Sequence, residues 1–213
     1  MSLAAAFTLL NPGPPSTSQV LLRWERAVLT VLGHVPPQQP LARHLPEEVL
    51  EVFAAPQVLA GQSLAALQAR LAEVRSLKAA LPKLHRLASW WQGRFEGDLD
   101  PLSRFSAEDL RLELRQLRGI GPTLADQLTL YVFDLPVAPL ESGLIRITLR
   151  HRWTDESTDD EEWQSLFRGA VHQDATSLRN FHAALSPIAK HFCTPSTPQC
   201  DNCPLASLLP AAD

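Results

Sequence analysis

Apolar residues recur at helical spacing along most of the chain, and prolines and glycines separate the segments that carry this pattern. Residues 18–33 show it first, and a run of prolines at 36, 37 and 40 ends that helix. Residues 1–17 are interpreted as a loose arm that prolines interrupt. No segment has the alternation of a strand, so the pattern predicts an all-α fold. Further helices are predicted over residues 46–54, 63–73, 75–92, 107–116, 122–133, 141–151 and 176–191.

Two helix starts have recognisable signals. Ser106, with Asp109 three residues later, is typical of an N-cap and predicts the helix over 107–116. The acidic stretch Asp155–Glu162 is expected to be solvated, and its carboxylates suit the start of the helix that follows.

A short glycine hairpin is the clearest local motif in the first two thirds of the chain. Gly119, Ile120 and Gly121 lie between two predicted helices, and Pro122 stands where a first helical residue would. Glycines permit a tight turn and a close approach of backbone to a ligand, and a helix N-terminus can bind one phosphate. On these residues alone, an ordinary tight turn between two helices is an equally good interpretation.

Composition narrows the class of protein only moderately. The chain has 213 residues, 45% hydrophobic and 20% charged, which is ordinary for a soluble globular protein with one large domain or two small ones. No apolar run reaches the ~18 residues of a membrane span, and the N-terminus has no basic segment of a signal peptide, so a cytoplasmic location is expected. With a net charge of −4, any nucleic-acid contact must come from a local arrangement of groups.

The three cysteines lie close together near the C-terminus, in the pattern Cys193-x6-Cys200-x2-Cys203. Their odd number and clustering argue against a disulfide framework. The spacing is typical of an iron–sulfur loop, in which thiolates of one short segment surround a cluster. Zinc bound by thiolates and three unligated thiols are the alternatives.

Together these motifs resemble the endonuclease III family of helix-hairpin-helix DNA glycosylases, over most of the chain from about Trp24 onwards. The hairpin Gly119–Gly121 and the cysteine pattern carry the resemblance. It implies a helical barrel over residues 24–135 and a second helical domain formed by residues 1–23 and 136–213, with DNA between them. The implied partner is double-stranded DNA with a damaged or mismatched base, bound by a monomer and without a membrane. Gly119, Ile120, Gly121, Thr123, Arg146 and Lys190 are the implied DNA contacts.

Departures from the family pattern concern the chemistry. Thr123 stands where bifunctional members have a lysine that forms an imine, so a monofunctional glycosylase is implied. The catalytic aspartate of the family corresponds to Glu141, and the histidine often found two residues later corresponds to Gly143. Arg146 also matches the pattern, as a contact either to phosphate or to the fold itself. The alternative function is a weak or inactive paralogue that binds DNA lesions, and a helical fold that makes only protein contacts is a third.

The resemblance also implies a [4Fe-4S] cluster on Cys193, Cys200 and Cys203. The fourth cysteine of the family corresponds to Leu209, which cannot bind iron. A three-iron cluster, an oxygen ligand from Asp201 or Asp213, and a loop without any cluster stay open. His191 is a conceivable ligand, although a surface or core histidine is the better interpretation of both His182 and His191.

Many family members insert a glutamine side chain into the gap that a flipped base leaves in the duplex, and this side chain is called the plug here. Its position corresponds to Val35, with Gln38 and Gln39 close by. A displaced plug and an absent one are both compatible with this sequence. Tyr131 is interpreted as a core residue, and Trp90 and Trp91 as helix-end packing.

Overall fold

A computed structural model describes residues 2–10, 22–95 and 105–210. This part of the chain contains α-helices and short 3₁₀ helices and no strand, which confirms the all-α prediction. None of its helices has the length and apolarity to cross a membrane. The α-helices are α1 Leu3–Leu10, α2 Arg23–Val31, α3 Glu47–Leu50, α4 Pro56–Ala60, α5 Leu64–Arg70, α6 Leu77–Phe95, α7 Ala107–Gln116, α8 Pro122–Tyr131, α9 Ser142–Arg150, α10 Asp160–Ala170 and α11 Ala175–His191.

The chain divides into two compact units, residues 17–133 and residues 1–16 with 134–213. In the first unit, α6 packs against α2, α4 and α5, and α8 packs against α2 and α7. Trp24 and Trp91 meet edge to face in its core, with ring centroids 5.6 Å apart. The indole N–H of Trp24 donates to the carbonyl of Phe53 at 2.9 Å, so this large side chain is buried with its polar atom satisfied.

A buried ion pair joins the two helices of the glycine hairpin. Arg111 of α7 donates through Nε to Asp126 of α8 at 2.7 Å, and their side chains are 5% and 1% exposed. Removing one of two buried charges leaves the other poorly compensated, although Arg111 also meets the exposed Glu108 and Asp126 also meets Arg115 at 3.8 Å. The pair therefore fixes α7 relative to α8 and with it the turn between them.

In the second unit, α9 packs against α11 and α1 packs against α10. The prediction of a loose N-terminal arm is wrong for residues 3–10, which form α1. Leu3 and Ala6 are fully buried, and the Phe7 ring meets Phe181 edge-on at 5.4 Å. The burial of this apolar face stabilises a helix in a segment that the following prolines made look like a loose arm. Residues 11–17 of the proposed arm lie outside the described residues.

The predicted helices exist, with several boundaries moved. Helix α2 ends at Val31, and Gly33 with φ of +88° takes the left-handed conformation that follows it. The predicted helix 46–54 divides into α3 and a 3₁₀ turn at Glu51–Phe53, and α4 was not predicted. Helix α6 continues through Gly93 to Phe95, which is buried in the core. Residues 18–21 of the first predicted helix lie outside the described residues.

Replacing Asp126 by leucine should leave the buried charge of Arg111 with the exposed Glu108 carboxylate at 2.9 Å in place of its buried partner. We expect the free energy of unfolding to fall by about 3–5 kcal/mol, measured by urea denaturation. The double variant Arg111→Met/Asp126→Leu is the control, and it should recover most of this loss. A loss below about 1 kcal/mol in the single variant would contradict the role assigned to the pair.

Candidate active site and cysteine loop

Glu141 is the N-cap residue of α9, with φ −83° and ψ 145°, and its side chain makes no capping hydrogen bond. Its Oε1 lies instead 3.2 Å from Nε2 of His182 in α11. The Glu141 side chain is 29% exposed, whereas His182 is 3% exposed. The partly exposed carboxylate of Glu141 is thus positioned by its contact with the buried imidazole of His182.

The loop that leads into Glu141 is fixed by side chains of later helices. Gln164 of α10 accepts from the Ala138 N–H at 2.9 Å and donates to the Ala138 carbonyl at 2.7 Å. Asp134, with φ of +57°, forms an ion pair with Arg179 of α11. Such two-sided contacts limit where the backbone can place the Glu141 carboxylate.

Arg146, about one turn into α9, makes hydrogen bonds that attach α9 to the end of α11. Its guanidinium donates to the carbonyls of Cys193 at 2.5 Å and Ala189 at 3.1 Å, and more weakly to Ser142 at 3.4 Å. The first two carbonyls lie at and just beyond the C-terminal end of α11, where a cation is favourable. Of its two interpretations, these contacts favour the one in which Arg146 supports the fold.

Gly143 allows α9 and α11 to approach closely. A Cβ atom at this position would lie 2.8 Å from the Cβ of Ala189, which is closer than real side chains come. A larger side chain at position 143 would therefore require α9 and α11 to move apart.

The three cysteines lie around one small cavity of about 10 Å³, together with Leu209. None of them is in a disulfide. Burial raises the pKa of the Cys203 thiol, and the neighbouring Cys193 and Cys200 raise it further. Thiolates in this arrangement repel one another, so positive charge between them would favour their ionisation together. Three cysteine sulfurs around one cavity are the donors that hold iron–sulfur clusters, so the donor set fits such a cluster at three positions, whereas Leu209 offers no donor at the fourth.

Arg150 and His151 complete the wall of this cavity. Arg150 donates to the Cys193 sulfur at 3.2 Å and to the carbonyls of Thr194 at 2.7 Å and Pro195 at 2.9 Å. His151 is 7% exposed, and its Nδ1 lies 3.1 Å from the Leu208 carbonyl. Burial lowers the pKa of His151 despite this hydrogen bond, which acts to raise it.

The remaining ligand candidates lie away from the cavity wall. Asp201 and His191 are exposed and do not line the cavity. Asp213 lies outside the described residues. Within the described ranges, no group of three or more His, Cys, Asp or Glu side chains is arranged to hold a single metal ion.

The glycine hairpin belongs to the other unit, residues 17–133. Gly119 has φ of +92°, and Gly121 is the N-cap of α8 with Pro122 as its first residue. Ile120 is 3% exposed and anchors the turn in the core. From α6, Arg86 donates to the Arg118 carbonyl at 3.0 Å. The hairpin is thus preorganised, with Gly121 exposed and Thr123 partly exposed.

Several other candidates fall into the core or onto the surface. Tyr131 and Trp91 are buried, Trp90 is half-buried, and Lys190 is exposed near the end of α11. In the loop after α2, Val35 is half-buried while Gln38 and Gln39 are exposed. The His34 and His44 rings stack beside this loop at 3.7 Å, and burial together with His44 lowers the pKa of His34.

Comparisons with known proteins find similarity to endonuclease III and to thymine-DNA glycosylases. Residues 193–208 match the iron–sulfur binding domain of endonuclease III. A thymine-DNA glycosylase of Aeropyrum pernix is 28% identical over 171 residues, covering 75% of this chain and 70% of the relative. The structure of a non-covalent endonuclease III–DNA complex has a TM-score of 0.68 at 16% identity, covering 97% of this chain and 91% of that one. A thermostable thymine-DNA glycosylase has a TM-score of 0.64 at 16% identity, covering 97% and 92%.

These findings confirm the endonuclease III fold and the resemblance to the endonuclease III family that the hairpin and the cysteines indicate. Sequence reasoning missed the contact of His182 with Glu141 and the Gln164 bonds to the loop. Neither has a local signal, because each partner is more than twenty residues away along the chain. Arg150 and His151 lie at the end of α9, more than forty residues before the first cysteine, and nothing in the sequence pattern relates them to the cysteines.

Replacing Gly143 by alanine should force α9 away from α11. We expect a destabilisation of about 1–3 kcal/mol, measured by thermal or urea denaturation. Gly169→Ala in α10 is the matched control, because a Cβ there meets nothing within 4 Å. The control should stabilise the protein by about 0.5–1 kcal/mol through helix propensity. Equal behaviour of the two variants would contradict the close contact.

Proposed function

We propose that this protein is a monofunctional DNA N-glycosylase of the endonuclease III type, acting on a damaged or mismatched base in double-stranded DNA. The observation that carries the proposal is the place of Glu141, fixed at the N-terminus of α9 in an endonuclease III fold. The similarity to a thymine-DNA glycosylase makes mispaired thymine the first substrate to test.

The Glu141 carboxylate would act on the sugar of the flipped nucleotide. As the bond between C1′ and the base nitrogen breaks, positive charge develops on the sugar, and a nearby carboxylate stabilises it. The same carboxylate would orient a water molecule, whose oxygen bonds to C1′ while the departing base takes up a proton. The partial exposure of Glu141 suits both tasks, since the group must reach substrate and water.

Thr123 excludes strand cleavage through an imine intermediate. A hydroxyl cannot form the imine through which a lysine links to the abasic sugar. The product is therefore an abasic site in an unbroken strand.

The hairpin would hold the DNA backbone. Its glycines and the start of α8 suit the close approach of a phosphate, without reading the sequence of bases. The contacts proposed here are Gly119, Ile120, Gly121 and Thr123, with Lys190 as a further phosphate contact in the other unit.

An iron–sulfur cluster would be held by Cys193, Cys200 and Cys203. The cluster would have a structural role, because bonds from the thiolates to iron would join the two ends of the cysteine loop. Arg150 would donate to the Cys193 thiolate, as it already does to that sulfur in the structure.

The glycosylase proposal predicts sites that break only after alkali. A labelled duplex with a mispaired thymine, followed by a panel of damaged bases, should yield strand breaks after hydroxide treatment and none without it. Glu141→Gln keeps the size of the side chain and removes the charge, so the single-turnover rate should fall by about 10²–10³-fold.

Glu161→Gln on the exposed face of α10 is the matched control and should leave the rate unchanged. Tight binding to abasic-site DNA with no alkali-labile product on any base would contradict the enzyme and support the lesion-binding alternative. Strand breaks that appear without alkali would contradict the monofunctional assignment.

A further inference from the structure

We infer that His151 is the fourth ligand of the iron–sulfur cluster, through its Nε2 atom, in place of the cysteine that the chain lacks at Leu209. The inference rests on the proposed cluster and adds a residue that neither the motif nor the comparisons assign. It is carried by the position of His151, by its hydrogen bond and by the absence of a competing donor among the residues that line the cavity.

His151 lies beside the part of the cysteine loop that lacks a ligand. It follows α9 directly, is 7% exposed, and lines the same cavity as the three cysteines and Leu209. Its hydrogen bond to the Leu208 carbonyl places the imidazole against the residue just before position 209. A donor directly after α9 thus lines the cavity in which the loop itself supplies only leucine at position 209.

The hydrogen bond also decides which ring nitrogen could bind iron. A carbonyl oxygen can only accept, so Nδ1 carries the proton and donates at 3.1 Å to Leu208. The lone pair then lies on Nε2. Ligand histidines usually have this arrangement, with one nitrogen on the metal and the other N–H held by a backbone carbonyl. The Trp153 ring stacks on the imidazole at 4.5 Å and 24°, which further restricts its orientation.

No other side chain that lines this cavity offers a comparable donor. Apart from the cysteines and His151, the lining consists of Arg150, which has no lone pair to give, and apolar residues. His182 lies against Glu141, and the exposed His191 is absent from the cavity wall. A cluster with three cysteine ligands and an open iron is the competing arrangement.

Pulsed electron paramagnetic resonance of the intact protein distinguishes the two arrangements. The protein is produced in a histidine auxotroph, once with ordinary histidine and once with ring-¹⁵N histidine, and purified without oxygen. Its cluster is studied in the paramagnetic state obtained as isolated or after dithionite. We expect a hyperfine coupling from a directly bound nitrogen that changes with the label.

His151→Cys assigns the signal, because it keeps a fourth donor while removing the nitrogen. In this variant the iron content should stay at the wild-type level and the labelled coupling should vanish. His191→Ala is the matched control and should retain both. Iron analysis of the same samples is a readout that does not depend on DNA or activity.

Three results would overturn the inference. An iron-loaded wild-type protein without histidine coupling would support the cluster but show that its fourth iron has no histidine ligand. A coupling that survives in His151→Cys would assign the ligand to another histidine. Protein free of iron would overturn the proposed cluster, and this inference with it, while the glycosylase assay would still decide the enzymatic proposal.

Discussion

Two arginines of α9 hold together the C-terminal end of α11 and the cysteine loop. Arg146 donates to the carbonyls of Ala189 and Cys193, and Arg150 donates to Thr194, Pro195 and the Cys193 sulfur. Helix ends leave carbonyls without intrahelical partners, and charged donors satisfy them at a net gain of about 1.5–3 kcal/mol each. Because Glu141 caps the start of α9 and His151 follows its end, both groups depend on this attachment.

Small side chains make the attachment possible. Gly143 faces Ala189, so α9 lies close enough to α11 for the arginines to reach past its last turn. The same closeness brings His182 within 3.2 Å of Glu141. In this packed unit, the buried His182 contacts Glu141 before the first turn of α9, and the buried His151 after its last turn lines the cysteine cavity with Leu209.

The sequence predicted the helical class, most helices and the hairpin, because apolar spacing and glycines are local signals. It did not predict α1, which is stabilised by tertiary contacts that bury Leu3 and Ala6. Glu141 and the cysteines were found through motif positions. The contacts of Glu141 with His182 and of His151 with Leu208 depend on packing between distant segments, which no spacing along the chain reveals.

The proposed iron–sulfur cluster would tie this packed unit to the cysteine loop despite Leu209. The most direct measurement is the iron and acid-labile sulfide content of protein purified without oxygen, with its visible absorption spectrum. We expect a brown protein with broad absorption in the blue and about four irons per chain, matched by sulfide. A folded, colourless protein with neither iron nor sulfide would contradict it.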